Sequence, residues 1–327
     1  MLGGMTNIDK RAWLVLELFG MAADQQSNLG LLPTSEDGEK SEFTFFSGRT
    51  LQYYHFNAQL GNPDWSRKKI LDFGGNVGGF LMGAPPVIRH EDYWCVDLHK
   101  PALERGQKAL PRAHFVFYNR YHNLYNSTGI VDLPVPDLGQ AFDFILAFSV
   151  FTHTSVREMQ EILRQLMVML KSGGTLAFTF EDHNYDPVKD PRYDMTVADQ
   201  EVSWGSNLRH RLLRVKPNYP GIDVEQFILR ARNARWCALV GNRFYVEPDD
   251  VSPAREKPGM CYHQYHTLAF MKELFPEAEF FAPLSPLRQH FCVLKPPFAN
   301  LRPFWTSPGA GIAQKEDTDD PHDRVLR

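Results

Sequence analysis

Residues 71–80 read LDFGGNVGGF, a short apolar run followed by a turn with four glycines. In a strand–turn–helix unit, the backbone N–H groups of such a turn accept ligand oxygens, and glycine removes the Cβ that would block a close approach. Asn76 replaces the middle glycine of a GxGxG pattern, and asparagine tolerates a left-handed backbone better than most residues. The stretch therefore predicts a nucleotide-type site without deciding which nucleotide binds.

Two carboxylates narrow the choice of ligand. Asp97 ends the second predicted strand, where an acidic side chain can accept hydrogen bonds from both ribose hydroxyls of NAD or of S-adenosylmethionine. Asp72 ends the first strand, where its charge would repel a pyrophosphate but is acceptable beside the amino group of a methionine moiety. The GGNVGG turn also fits the GxGxxG pattern of dinucleotide sites poorly. A purely structural turn is the alternative.

The composition excludes several classes of protein. The chain has 327 residues, 43% of them hydrophobic, and a net charge of -4, which argues against binding along a nucleic-acid backbone. Its four cysteines are scattered, so neither a disulfide framework nor a cysteine zinc site is indicated. No stretch has the length and apolarity of a membrane span or of a signal peptide. We expect a cytoplasmic protein with no nucleic-acid or membrane partner.

Strands and helices alternate from residue 69 onward. The segments KILDF, YWCVDL, AHFVFYN, FDFILAFSV and TLAFTF read as strands, with PALERGQKAL as a helix between the second and third. Ser155 and Glu158 match a capping box for the helix that follows the fourth strand, whose apolar stripe extends to Leu170 before Gly173 and Gly174 end it. HTLAFMKELF reads as a later helix, and AEFFAPL and HFCVLKP as the strands that close the sheet. The pattern predicts an α/β fold around a mostly parallel sheet.

Four motifs in order resemble the class I S-adenosylmethionine-dependent methyltransferases, over residues 67–184 and 262–296. ILDFGGNVGGF is similar to the first motif of that family, VDLHKPALERG to the second, FDFILAFSVFTHTS to the fourth, and LKSGGTLAFTF to the helix end and strand that follow. SVFTH is common in the small-molecule members. The resemblance implies a doubly wound, seven-stranded sheet with its last strand antiparallel, and a donor lying across the carboxyl ends of the first, second and fourth strands.

The resemblance and the breaks in rhythm predict four regions. Residues 1–66, with helices over 8–24 and from about Thr50, form an N-terminal helical lid segment. Residues 67–184 and 262–298 form the methyltransferase core. Residues 185–261, which are punctuated by prolines around a helical piece at 223–235, form an insertion that covers the substrate. Residues 299–327 form a polar tail that we expect to be disordered.

The resemblance also implies S-adenosylmethionine as the cofactor and a set of residues around it. The glycine turn surrounds the methionine part, Asp97 holds the ribose and Leu98 touches adenine, while Asn119 or Arg120 stands where the family often has an acidic residue. The predicted cofactor-binding residues are Asp72, Gly74, Gly75, Asn76, Gly78, Asp97, Leu98, Asn119 and Phe148.

Catalytic groups are harder to predict, because the sulfonium methyl is already activated and the protein adds mainly approach geometry and, where needed, a base. The candidates follow the fourth and fifth strands: His153, Glu181, Asp182 and His183. His153 can also cap or orient its loop. The candidates for substrate binding are Tyr53, Tyr54, His263 and His266. His263 and His266 have no paired carboxylate nearby in sequence, so we expect no metal.

The predicted function is methyl transfer to a small molecule, with several points left open. Arg209, Arg211, Arg214, Arg230, Arg232, Arg235 and Arg243 exceed the acids of the insertion. This excess suits an anionic substrate such as a carboxylate or phosphate, a subunit interface in a homodimer, or a solvated helical face. The competing functions are aminopropyl transfer or cyclisation on the same fold, and a non-catalytic partner subunit. The acceptor atom is not predicted.

Overall fold

The structure, a computed structural model, describes residues 51–185, 190, 223–240, 243–246, 261–284 and 289–296. The helix predicted at 8–24, most of the proline-rich insertion and the tail at 299–327 lie outside these residues. The four-region division and the substrate-covering role of the insertion therefore stay predictions.

A seven-stranded sheet forms the core of the fold, as the alternating pattern predicted. Its strands run in the order β3-β2-β1-β4-β5-β10-β9. The pairs from β3 to β5 are parallel, and β10 is antiparallel to both β5 and β9. The strands are β1 Ile70–Phe73, β2 Tyr93–Asp97, β3 His114–Phe117, β4 Phe142–Ala147, β5 Leu170–Phe180, β9 Glu279–Phe281 and β10 His290–Leu294.

Helices cover both faces of this sheet, which confirms the doubly wound α/β prediction. Residues 51–59 form α1. The others are α2 Gly79–Gly83, α3 Lys100–Ala109, α4 Val156–Val168, α5 Val224–Ala231 and α6 Leu268–Leu274, with a 3-10 turn at His90–Asp92. Helices α4 and α6 contribute to one buried apolar cluster, and α1, α2 and α3 to another.

The capping box predicted for α4 is present. The Ser155 hydroxyl accepts from the Glu158 N–H, and the Glu158 carboxylate accepts from the Ser155 N–H, both at 3.2 Å. The predicted end of the helix is wrong, however. The helix stops at Val168, and Leu170, which we assigned to its stripe, pairs with Phe142 as the first residue of β5. Pairing with the next strand overrides the helical spacing at this point.

A second, smaller sheet lies within the region that the sequence reads as an insertion. Its strands β6 Trp236–Val240, β7 Arg243–Val246 and β8 Cys261–His266 are antiparallel in the order β7-β6-β8. The predicted helical piece is confirmed as α5. The strands were not predicted, because hydrogen bonds between segments up to 30 residues apart, rather than a local alternating pattern, define them.

Backbone hydrogen bonds attach the small sheet to the large one. The Gln264 N–H donates to the Thr152 carbonyl at 2.7 Å, just after β4, and the His266 N–H donates to the Glu181 carbonyl at 2.9 Å, just after β5. Strand β8 is therefore held directly above the carboxyl ends of β4 and β5. None of the helices in the described part of the chain is long and apolar enough to cross a membrane.

Two buried histidines lead us to predict that stability falls in acid. Burial lowers the pKa of both His55 and His266 to about 3, against an ordinary value of about 6.5. Between these values the unfolded chain binds more protons than the folded protein. The free energy of unfolding should therefore decrease as pH falls from about 6.5 towards 3, by up to about 1.4 kcal/mol per pH unit for each histidine.

Urea unfolding followed by circular dichroism from pH 7.5 to 4.5 measures this slope. His266→Leu should flatten it by about one proton, whereas His114→Gln, at an exposed position, should leave it unchanged. An unaltered slope in His266→Leu would contradict the assignment.

Candidate functional site

The glycine turn joins β1 to α2 in a strained, close-packed loop. Gly74 has φ +75°, and its N–H donates to the Val96 carbonyl at 2.7 Å. A Cβ at Gly74 would lie 2.3 Å from Cγ2 of Val150, and one at Gly75 would lie 2.5 Å from the Asp72 carboxylate. Asn76 has φ +56°, the left-handed conformation expected of it. Glycines at these positions are therefore required by packing as well as by backbone angle.

Asp97 is fixed at the end of β2 by two backbone donors. Its Oδ2 accepts from the Asn76 N–H at 2.8 Å, and its Oδ1 accepts from the His99 N–H at 2.7 Å. The first bond ties the carboxylate to the glycine turn across from it. Asp97 also lines the cavity described next, so its remaining lone pairs are placed to accept from a ligand.

A cavity lies at the carboxyl ends of β1, β2 and β4. It encloses about 850 Å³ of empty space, including the part open to solvent, a volume typical of small-molecule sites. It is lined by the glycine turn, the ends of β2 and β4, the segment after β3 and the start of α4. These are Phe73, Gly74, Asn76, Val96, Asp97, Leu98, Tyr118, Arg120, Tyr121, His122, Tyr125, Phe148, Ser149, Val150, His153, Thr154, Glu158 and Ile162.

Two buried oxygens in the cavity wall indicate that it is built for a polar ligand. Asn76 Oδ1 and Thr154 Oγ1 are both inaccessible to solvent and make no hydrogen bond with any part of the chain that the structure describes. A buried polar atom without a partner costs about 1–3 kcal/mol. A bound molecule with hydrogen-bonding groups at opposite ends would recover that cost.

A buried ionic network closes the far end of the cavity. The guanidinium of Arg120, 3% exposed, lies 3.2 Å from Glu161 and 3.5 Å from Glu158, and donates to the Leu133 carbonyl at 2.8 Å. Burial by itself opposes the charge, but Tyr118 and the two glutamates outweigh it and raise the pKa of Arg120 above its ordinary value. Its donors are thus largely engaged within the protein, so we assign it a structural role in this wall.

A hydrogen-bond network joins the ends of β4, β5 and β10 beside the cavity. His263 Nε2 lies 3.1 Å from Oε2 of Glu181. The side-chain amide of Gln289 donates to Oε1 of Glu181 at 3.4 Å and to the Ser149 hydroxyl at 2.9 Å. The structure therefore brings together a predicted catalytic residue, Glu181, and a predicted substrate-binding residue, His263, which are 82 residues apart in sequence.

A group of rings stands between this network and the cavity. His153 Nε2 lies 3.3 Å from the Tyr125 hydroxyl, and the His153 ring is 5.4 Å, centroid to centroid, from the His263 ring. His122 accepts from the Leu124 N–H through Nδ1 and so donates through Nε2 to the His153 carbonyl at 3.0 Å. His122 is therefore in its neutral form and orients the loop that carries His153.

The other predicted cofactor residues lie around the turn but not in the cavity wall. Asp72 is buried and accepts from the Tyr93 hydroxyl at 2.5 Å. Burial, and then the Asp72 charge, raise the pKa of Tyr93 well above its ordinary value, so Tyr93 keeps its proton. Gly78 packs against Leu110 and Phe115. Asn119 accepts from the Asn126 side chain at 3.0 Å.

The predicted catalytic residues Asp182 and His183 hold elements of the fold together. Asp182 Oδ2 accepts from the Leu268 N–H at 3.0 Å, at the start of α6. His183 donates through Nε2 to the Ala231 carbonyl at 3.0 Å, and burial lowers its pKa. Neither residue lines the cavity.

The remaining substrate-binding candidates also lie away from the cavity wall. His266 is fully buried and stacks on Phe270. On a strand, residues three apart point to opposite faces, so His263 and His266 do not form a pair. Tyr53 packs into the core against Trp65 and Phe80. Its neighbour Tyr54 is half-buried, and burial followed by the charge on Tyr53 raises the pKa of Tyr54 to about 12.

The arginines of the insertion do not reach the cavity where the structure describes their side chains. Arg230 and Arg232 are exposed, and Arg235 pairs with Glu273 at 3.1 Å and lies over the Phe270 ring. Arg209, Arg211 and Arg214 lie outside the described residues. Within the described ranges, no three His, Cys, Asp or Glu side chains are arranged to hold a metal ion.

Thr154 and Gln289 were missed in the sequence. Thr154 is the last residue of the FTHT segment, and only its orphaned hydroxyl in the cavity wall distinguishes it from a loop threonine. Gln289 is 108 residues from Glu181, and nothing local marks it. A polar residue just before the closing strand is the one weak signal, because that strand lies beside β5.

Comparison with known proteins agrees with this architecture. Residues 71–176 match a family model described as "Methyltransferase domain". With the strand order of the large sheet, this match assigns the chain to the class I, Rossmann-like, S-adenosylmethionine-dependent methyltransferases. Its enzyme class is therefore methyltransferase, and its cofactor is S-adenosylmethionine. No curated protein sequence matches the chain.

Solved structures with a similar core include three methyltransferases or biosynthetic proteins of low identity. CalS10, an amino pentose methyltransferase from Micromonospora echinaspora, is 17% identical over 45% of this chain and 58% of its own, with a TM-score of 0.34. The glycopeptide N-methyltransferase MtfA is 9% identical over 76% of this chain and 94% of its own, with a TM-score of 0.41. The pyocyanin biosynthetic protein PhzM is 13% identical over 88% and 69%, with a TM-score of 0.42. Nothing about the acceptor follows from similarity at this level.

The left-handed backbone at Asn76 gives a test of the turn. Asn76→Gly should leave the free energy of unfolding within about 0.5 kcal/mol of wild type, whereas Asn76→Val should lower it by about 1–2 kcal/mol, since a β-branched side chain is strained at positive φ. Urea unfolding of both variants measures the difference. Equal stability of the glycine and valine variants would show that the turn does not hold this conformation.

Proposed function

We propose that this protein transfers the methyl group of S-adenosylmethionine to a small-molecule acceptor in the cavity at the carboxyl ends of β1, β2 and β4. The observation that carries the proposal is the Asp97 carboxylate, which two backbone N–H groups hold in the cavity wall directly across from the glycine turn. An acidic side chain at this point is placed to bind the two hydroxyls of a ribose.

The lining residues fit the rest of the donor. Asn76 offers its Oδ1 beside the turn, where the amino-acid part of the donor would lie, and Leu98 offers an apolar surface next to Asp97 for the adenine. Thr154 offers a hydroxyl at the other wall. The Asp72 charge sits directly beneath the turn, which favours a ligand with a cationic amino group there over one with a pyrophosphate.

The donor supplies a methyl group that is already activated as a sulfonium. The protein has to place an acceptor in line with it and exclude water. Phe148, at the end of β4, packs edge-to-face on Phe56 of α1, with ring centroids 6.2 Å apart, so an N-terminal helix covers this edge. Ser149, next to it, is held at φ +57° by its N–H bond to the Thr179 hydroxyl at 2.8 Å. The reaction edge is therefore rigid and partly covered.

The acceptor class that we first considered, a carboxylate or phosphate, depends on residues outside the described structure. Arg209, Arg211 and Arg214 are the arginines of the insertion whose positions bear on it. A cover formed by residues 185–261 and a homodimer formed through this region stay predictions on the same ground. An anionic group elsewhere on the acceptor is compatible with the proposal.

Calorimetric titration with S-adenosylmethionine, and separately with NADH, tests the donor. Binding of the sulfonium compound alone supports the proposal, and binding of NADH alone would refute it. Mass spectrometry of the donor product after turnover separates the reaction types. S-adenosylhomocysteine indicates methyl transfer, whereas methylthioadenosine indicates the competing aminopropyl transfer or another cleavage of the donor.

Asp97→Ala should weaken binding of S-adenosylmethionine by about 1–3 kcal/mol, roughly 5- to 150-fold, through loss of charge-assisted hydrogen bonds to the ribose. Glu104→Ala is the matched control, because Glu104 is an exposed acid on the neighbouring helix α3 and does not line the cavity. Calorimetry at one ionic strength compares the two variants, with circular dichroism to establish that both are folded. Unchanged affinity in Asp97→Ala would place the donor elsewhere.

A further inference from the structure

The pairing of His263 with Glu181 fixes which imidazole nitrogen carries the proton. Nε2 of His263 lies 3.1 Å from Oε2 of Glu181. A carboxylate only accepts hydrogen bonds, so Nε2 is the protonated nitrogen and Nδ1 carries the lone pair. Both side chains are about nine-tenths buried, which strengthens the interaction between them. The arrangement is a histidine whose tautomer and ring plane are set by an acid, as in enzymes that use histidine as a base.

The orientation of Glu181 is itself set by a directional chain of hydrogen bonds. The Ser149 N–H donates to the Thr179 hydroxyl, which donates to the side-chain oxygen of Gln289. The amide nitrogen of Gln289 is thereby turned towards Oε1 of Glu181. Both oxygens of Glu181 accept hydrogen bonds from the protein, so Glu181 orients His263 rather than acting on a substrate.

The backbone places His263 beside the edge where methyl transfer would occur. The bond from the Gln264 N–H to the Thr152 carbonyl anchors β8 on the loop after β4. The His263 ring then stands edge-on to His153, which lines the cavity together with Ser149. No other histidine in the described ranges has a carboxylate within 4.0 Å of a ring nitrogen.

We propose that His263 is the general base of the reaction, that Glu181 and Gln289 are positioning residues, and that the acceptor atom is the oxygen of an alcohol or phenol. This inference rests on the proposed methyl transfer and specifies its acceptor. In the proton-transfer step, the hydroxyl proton passes to Nδ1 of His263 as the oxygen bonds to the methyl carbon. The methyl–sulfur bond breaks and its electron pair stays on sulfur. The proton later leaves His263 for water, and the products are a methyl ether and S-adenosylhomocysteine.

The chemistry of other acceptors explains why a hydroxyl fits this pair. A phenol has a pKa near 10, as tyrosine does, and is mostly protonated at neutral pH, so its attack gains from a base. A carboxylate is already ionised, and the Glu181 charge would repel it. A neutral amine attacks through its own lone pair and loses its proton afterwards. A thiol ionises much more readily than a hydroxyl.

A series of phenols of graded acidity tests the inference with defined probes. The acceptors are 4-methoxyphenol, phenol and 4-nitrophenol, with benzyl alcohol, benzylamine and benzoate for comparison, and methyl-labelled S-adenosylmethionine as donor. Wild type should methylate hydroxyl members in preference to benzylamine and benzoate. His263→Ala should lower kcat for 4-methoxyphenol by about 10²- to 10⁴-fold. It should affect 4-nitrophenol much less, because that acceptor ionises near neutral pH without a base.

The positioning residues have their own signature. Glu181→Gln and Gln289→Ala should lower kcat with little change in KM for the phenol. Added imidazole should partly restore the rate of His263→Ala but not that of Glu181→Gln. His114→Gln, an exposed histidine on β3, is the matched control and should keep the wild-type rate.

Donor titration of every variant separates the two levels of the argument. If wild type does not bind S-adenosylmethionine, the proposed function itself fails. If wild type binds the donor but methylates no hydroxyl member, or prefers benzylamine or benzoate, the hydroxyl assignment is overturned. If His263→Ala lowers the rate equally for all three phenols, His263 is not the base.

Discussion

The parallel pairing of β1 with both β2 and β4 is the constraint on which the site depends. Because β1 lies between two strands that run the same way, the chain must leave it through a tight turn at the edge where its neighbours also end. That turn needs glycine at Gly74 and Gly75, where side chains would meet Val150 and Asp72. The same edge receives Asp97 from β2. One topological choice thus produces both the crowded turn and the carboxylate opposite it.

Sequence reasoning recovered most of the large sheet, for a physical reason. Its parallel strands are buried on both faces, so each appears as a short apolar run such as FDFILA, and its helices carry a one-sided stripe and a local cap at Ser155. These signals lie within ten or so residues of chain. The small sheet gives no such signal, because β6 finds β8 across a long intervening stretch. The early start of β5 at Leu170 was missed for a related reason, since pairing with Phe142 defines it.

The site divides along the same line. The half formed by Gly74, Asn76 and Asp97 is encoded by consecutive motifs and could be located from the sequence. The half formed by Glu181, His263 and Gln289 arises only when β5, β8 and β10 meet. Sequence reasoning picked out the first two of these residues but gave them separate roles. It also treated Asp182 and His183 as equals of Glu181, although their side chains bond to Leu268 and Ala231.

The attachment of the small sheet to the large one has a consequence for how such an enzyme can diversify. Strand β8 and helix α5 are held at the core by the Thr152 carbonyl and the His183 ring, independently of the stretch at 191–222. Changes of length or composition in that stretch would therefore leave His263 in register with Glu181. Recognition of the acceptor and removal of its proton are carried by different parts of the chain, so lineages can change one without rebuilding the other.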